Sequence, residues 1–77
     1  MARSPRLDPA LGVAVRQLRE EHGVTREALA FKADITISSL ARVELVQTTP
    51  GWDTVRSIAS ALGVSLVDFA AAVEAAE

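Results

Sequence analysis

Thr25-Arg26-Glu27-Ala28-Leu29-Ala30-Phe31-Lys32-Ala33-Asp34-Ile35-Thr36-Ile37-Ser38-Ser39-Leu40-Ala41-Arg42-Val43-Glu44 reads as two short helices with almost nothing between them. Thr25 and Thr36 each stand just ahead of a helical apolar pattern, where a hydroxyl can accept a hydrogen bond from a free N–H of the first turn. Leu29, Ala30 and Ala33 form the inward face of the first helix, and Leu40 and Val43 that of the second. The spacing predicts helices over 25–34 and 36–44, the geometry of a helix-turn-helix. So sharp a join requires small residues at the crossing, and Ala30 and Ala33 supply them. Asp34 closes the first helix at a position where glycine adopts the required conformation more easily.

Three more helices lie outward from this pair. Asp8-Pro9 is a start signal: Asp caps, and Pro at the first helical position loses no hydrogen bond. Leu11, Ala14, Val15 and Leu18 follow helical spacing, and Gly23 is the stop. After the loop Leu45-Val46-Gln47-Thr48-Thr49-Pro50-Gly51, residues 52–62 form a fourth helix with Val55, Ile58, Ala59 and Leu62 on one face. Gly63 ends it, and Ser65-x-x-Asp68 resembles a capping box. The fifth helix carries Leu66, Phe69, Ala70 and Val73 on one side. Residues 1–7, with Pro5, Arg3 and Arg6, read as a flexible basic arm, and residues 8–77 as one domain.

With 77 residues, a single chain buries only about 60 % of its unfolded surface, so its stability is marginal unless something adds to it. There is no cysteine, and His22 alone cannot hold a metal, so disulfides and metal sites are not expected and oligomerisation is. No apolar run is long enough to span a membrane, and the N-terminus lacks the apolar stretch of a signal peptide, so a cytoplasmic location is expected. The net charge of −2 argues mildly against a polyanionic partner, but its distribution softens this. Residues 1–50 hold Arg3, Arg6, Arg16, Arg19, Arg26, Lys32 and Arg42 against six acids, whereas residues 51–77 hold Arg56 against four. The acidic excess is therefore at the rear, which is compatible with a nucleic-acid-facing front. No nucleophile–base set, paired acids, phosphate loop or cofactor motif is present, so no enzyme and no cofactor are expected.

The pattern Leu11-Gly12-x-x-Val15-Arg16-x-Leu18-Arg19-x-x-x-Gly23-Val24-Thr25-x-x-x-Leu29-Ala30-x-x-Ala33-x-Ile35-Thr36-x-x-x-Leu40-x-Arg42-Val43-Glu44 continues with Pro50 and Ile58-Ala59-x-Ala61-Leu62-Gly63-Val64-Ser65-Leu66. Over about residues 11–70, without gaps, it resembles the phage-repressor (Cro/cI-like) helix-turn-helix family of transcriptional regulators. The resemblance implies an all-α, five-helix, lambda-repressor-like DNA-binding domain with 36–44 as recognition helix. It implies a DNA face of Thr36, Ile37, Ser38 and Arg42, with Arg42 best suited to read a guanine through O6 and N7. Arg16, Arg26, Gln47, Thr48 and Thr49 would hold the backbone of double-stranded DNA. Arg26, where the family usually has Gln, has a plainer alternative: pairing with an acid such as Glu27 or one near Asp53. Arg19 and Glu44 would form a structural salt bridge. The family habit of binding inverted repeats as a homodimer places the dimer interface on the last two helices, at Leu66, Phe69 and Val73. Trp52 falls where the family has a half-buried leucine and is expected in the core.

Departures from the family pattern bear on the partner. Asp34 and Val46 stand where glycine is usual, and the loop carries no cation. Phe31, Ile37, Leu45 and Val46 put apolar groups near the recognition surface, which suggests protein contact as well as DNA contact. A regulator of repressor or controller type is thus the first expectation. A helix-turn-helix protein working mainly through a protein partner, a toxin or polymerase, is the alternative.

Overall fold

A computed structural model describes residues 7–77. The arm expected over residues 1–7 falls almost wholly outside the described residues, and Arg3 and Arg6 with it. Five helices follow in order: α1 (Pro9–Glu21), α2 (Arg26–Ala33), α3 (Ile37–Glu44), α4 (Trp52–Leu62) and α5 (Leu66–Ala75).

The starts are set by local chemistry. Asp8 Oδ1 accepts from the Ala10 N–H at 3.0 Å, and Pro9 takes the first helical position. Thr25, Thr36 and Ser65 each accept the N–H three residues on, at 3.0 Å. Each such cap contributes about 1 kcal/mol. At Ser65 only the forward half of the capping box forms; the reciprocal bond from Asp68 is not made. α4 has Gly51 as its cap and no side-chain bond there.

The stops divide in two kinds. Gly23 and Gly63 turn the chain at φ +64° and +74°, where a glycine has no Cβ to clash. Asp34 and Val46 do the same at φ +58° with a side chain in place. Aspartate tolerates this region; for a β-branched residue it is strained. Val46 is held there by packing: its Cγ2 lies 3.1 Å from where a Cβ on Gly12 would stand. That Cβ would also sit 2.6 Å from the Val43 carbonyl oxygen. Gly12 is therefore the point at which α1 passes against the end of α3.

The core is a single cluster of Val15, Leu29, Ala30, Ala33, Leu40, Val43, Ile58, Ala59, Leu62 and Phe69. α2 packs on α3 and α4, and α1 on α3 and α5. The α4–α5 break turns the chain by 99°, bringing α5 back across α1. Among the described residues no single helix is long and apolar enough to cross a membrane.

Two expectations are corrected. Trp52 is 63 % exposed. It shares a helical stripe with Val55 and Ala59, but it opens α4, and side chains lean toward the N-terminal end of a helix, so its ring projects off the end. Phe69, expected on a dimer surface, is buried in the core of the single chain. The bulkiest residue of α5 joins the core cluster, leaving Leu66, Val67 and part of Val73 outside.

Candidate nucleic-acid interface

α3 buries Leu40, Val43 and Glu44 on one side. At about 100° per residue, Ile37, Ser38, Ala41, Arg42 and Leu45 fall on the opposite side within an arc of about 140°. Ile37, Ser38, Arg42 and Leu45 are exposed and Ala41 is partly so. Arg42 forms no ion pair among the described residues, which leaves its guanidinium available.

The helix carrying this face is clamped from behind. Glu44 has no exposed side-chain surface, and both its oxygens are occupied. Arg19 Nε donates to Oε2 at 2.7 Å and its Nη2 to Oε1 at 3.1 Å, a two-pronged pairing between α1 and α3. Arg19 Nη1 also donates to the Val24 carbonyl at 3.1 Å, fixing the turn before α2. Arg26, the first residue of α2, donates from Nε to Glu44 Oε1 at 3.0 Å. One carboxylate thus ties α1, α2 and α3 together. Hydrogen bonding to Glu44, opposed by burial and reinforced by the Glu44 charge, raises the Arg19 guanidinium above its ordinary range. No buried side-chain polar atom among the described residues lacks a partner, so the buried charge is fully compensated.

The expected acid partner of Arg26 is corrected here: it is Glu44, not Glu27 or a group near Asp53. Arg26 remains one-third exposed, and its Nη atoms make no hydrogen bond to described residues. It can therefore serve the clamp with Nε and an external anion with its outer edge.

The other expected residues fall as follows. Thr36 accepts the Ser39 N–H and donates its hydroxyl proton to Ser39 Oγ at 2.9 Å, so its one proton is already committed inside the protein. Ser38 is exposed and makes no side-chain bond among the described residues. Arg16 pairs with Glu20 one turn on at 3.4 Å, both well exposed, a contact worth little to stability. Gln47, Thr48 and Thr49 follow α3 in the loop to α4, with the Gln47 N–H bonded to the Arg42 carbonyl at 2.8 Å. His22 caps α1, its Nδ1 2.7 Å from the Leu18 carbonyl oxygen. Of the four apolar groups singled out, Phe31 is 87 % exposed and Ile37 and Leu45 about half. Val46 instead packs against α1. Ala41 belongs to the outward face and was not among the expected residues; its spacing of four from Ile37 and three from Ser38 is the signal that marks it. An open groove of about 370 Å³ lined by Lys32, Ala33, Asp34, Arg56, Ser57 and Ser60 lies at the far end of α2 from Arg26.

The arrangement resembles known proteins in sequence and in structure. A curated relative, the HTH-type transcriptional regulator DdrOP3 of Deinococcus deserti, is 33 % identical over 60 residues, 78 % of this chain. The chain spans less than half of that relative, 46 % of its length. The solved structure of the clp gene regulator ClgR from C. glutamicum superposes with a TM-score of 0.83 at 29 % identity, covering 94 % of both chains. The restriction-modification controller protein C.Esp1396I superposes at 0.86 with 22 % identity, covering 95 % of this chain and 96 % of the other. The fold is therefore lambda-repressor-like, with five helices and the helix-turn-helix at its centre. The model of the helix-turn-helix domain matches residues 10–72, and the chain belongs to that family.

Proposed function

We propose that the chain is a sequence-specific DNA-binding transcriptional regulator that lays α3 in the major groove and binds an inverted repeat as a homodimer. The observation that carries this is the outward face of α3, with an Arg42 that has no ion pair among the described residues, on a helix held at its back by Glu44 and two arginines. A rigid helix presenting a free guanidinium suits bidentate recognition of a guanine edge. Thr36, Ile37 and Ser38 stand at the end of α3 that enters the groove in this fold. The outer edge of Arg26, with Gln47, Thr48 and Thr49, follows the phosphate backbone, and Arg16 reaches it on giving up Glu20.

A net charge of −2 and a loop without cations make the grip of one subunit modest, which favours two. In the dimer the two α3 helices stand about 34 Å apart, one turn of duplex. The surface for the second copy is the outer side of α5: Leu66, Val67 and Val73. Sedimentation showing only monomer at micromolar concentration, with and without DNA, rejects the dimer. The relatives named above as regulators support the repressor or controller reading, and a regulator of this kind works in the cytoplasm. Phe31, the most exposed large apolar side chain among the described residues, supports a second reading in which a protein partner is the main target. Selection from random duplex DNA at near-physiological salt decides: an enriched motif supports DNA reading, and the absence of any motif leaves the protein-partner reading.

A further inference from the structure

The outward face of α3 is chemically odd for a surface meeting water. Of Ile37, Ser38, Ala41, Arg42 and Leu45, three are apolar, and Ile37 and Leu45 are 48 % and 55 % exposed. Ile37 and Ala41 are one turn apart and lie side by side. They form an apolar pair on the side of the face away from its single cation, Arg42. A cation at the edge of this face, with no acid paired to it among the described residues, fits a polyanion better than a second copy of this acidic chain.

Resting on the DNA-reading function above, we infer that Ile37 and Ala41 read the C5-methyl group of a thymine near the guanine held by Arg42. The thymine methyl is the apolar group that bases present in the major groove. Ile37 has no donor or acceptor on its side chain, so contact with this methyl is the favourable base reading open to it there. The spacing is definite. Ile37 and Arg42 are separated by about 7.5 Å along the helix axis. Whatever angle the helix takes in the groove, that run covers at most about two base-pair steps of about 3.4 Å, so the thymine lies within about three base pairs of the guanine. Ser38, between them in angle, carries a small hydroxyl that leaves room for both.

The test uses the full chain and the duplexes enriched from the random pool, resynthesised with deoxyuridine in place of each thymine in turn. Uracil keeps every hydrogen-bonding group and loses only the methyl. One position within three base pairs of the guanine is expected to weaken binding about fourfold, the value of one buried methyl. The Ile37→Ser variant, altered at an exposed position, is expected to bind thymine and uracil duplexes equally. Arg42→Ala is expected to bind both more weakly with the thymine preference retained. If wild-type protein binds every uracil duplex as tightly as the parent, the methyl reading is overturned while the DNA-binding function stands, and the apolar face is left to a protein partner. A thymine preference that persists in Ile37→Ser overturns the assignment to that residue. A pool yielding no enriched duplex overturns both readings together.

Discussion

Replacing Glu44 by Gln keeps the shape and removes the charge that holds α3 in place. The amide oxygen can accept from one guanidinium, but its NH2 then faces the other donor. Arg19, 13 % exposed, is left as a nearly buried cation without its counter-charge. Losing one partner of such a pair costs about 3–5 kcal/mol. A domain of this length is stable by roughly 4–12 kcal/mol, so the substitution removes a quarter or more of the total. Arg26→Met should cost about 1 kcal/mol or less, because Arg26 is one-third exposed and water screens its pairing. The double variant Arg19→Met/Glu44→Leu should recover most of the Gln loss, since exchanging a buried pair for apolar groups is often neutral. Urea unfolding followed by far-ultraviolet circular dichroism measures all four proteins. Trp52 fluorescence is a poor reporter, because the ring is exposed in the folded state. The reasoning is refuted if Glu44→Gln lies within 1 kcal/mol of wild type, or if the double variant is no more stable than the single.

Further outcomes follow from the same geometry. Gly12→Ala should destabilise by about 1–3 kcal/mol, because the added methyl meets the Val43 carbonyl oxygen at 2.6 Å, and this outweighs the gain of about 1 kcal/mol in helix propensity; equal or greater stability by thermal melting would contradict the close crossing. Asp34→Gly should stabilise by about 0.5–1 kcal/mol, since glycine accepts φ +58° and a carboxylate is removed from the negative end of α2; a lower melting temperature would contradict it. The Arg19 pair should show no loss on the alkaline side until above the ordinary arginine range. Its folded value is raised, so its contribution is complete below the unfolded value and fades only as pH passes the folded one. A stability difference between wild type and Arg19→Met that collapses at mildly alkaline pH would refute this.

Features governed by neighbours in sequence were legible in it. Asp8, Thr25, Thr36 and Ser65 cap helices because a cap needs only a side-chain oxygen and an N–H two or three residues on. Asp34 stands out for the same reason, as a side chain where the turn asks for glycine, whereas Val46 is marked only by departure from the family pattern. The Arg19–Glu44 link, twenty-five positions apart, came from the family resemblance and not from periodicity. Arg26 shows where local reasoning stops: its nearest acid in sequence is Glu27, but α2 and α3 cross so that Glu44 is the acid it meets. Phe69 and Trp52 show the same limit. Periodicity assigns a stripe, but which end of a stripe is covered depends on where the neighbouring helices lie. Gly12 was visible as a letter of the pattern; that α3 passes over it was not.

The central claim is that α3 reads base sequence through Arg42. The most direct measurement is the ratio of affinities for an enriched duplex and a scrambled duplex of equal length, at fixed near-physiological salt. It is made for wild type, Arg42→Ala and Arg56→Ala, the last removing an exposed cation on α4 of equal charge. The account predicts that Arg42→Ala lowers the ratio by about 1–3 kcal/mol, roughly fivefold to a hundredfold or more, while Arg56→Ala leaves it unchanged. An unchanged ratio in Arg42→Ala, or an equal fall in both variants, would contradict it.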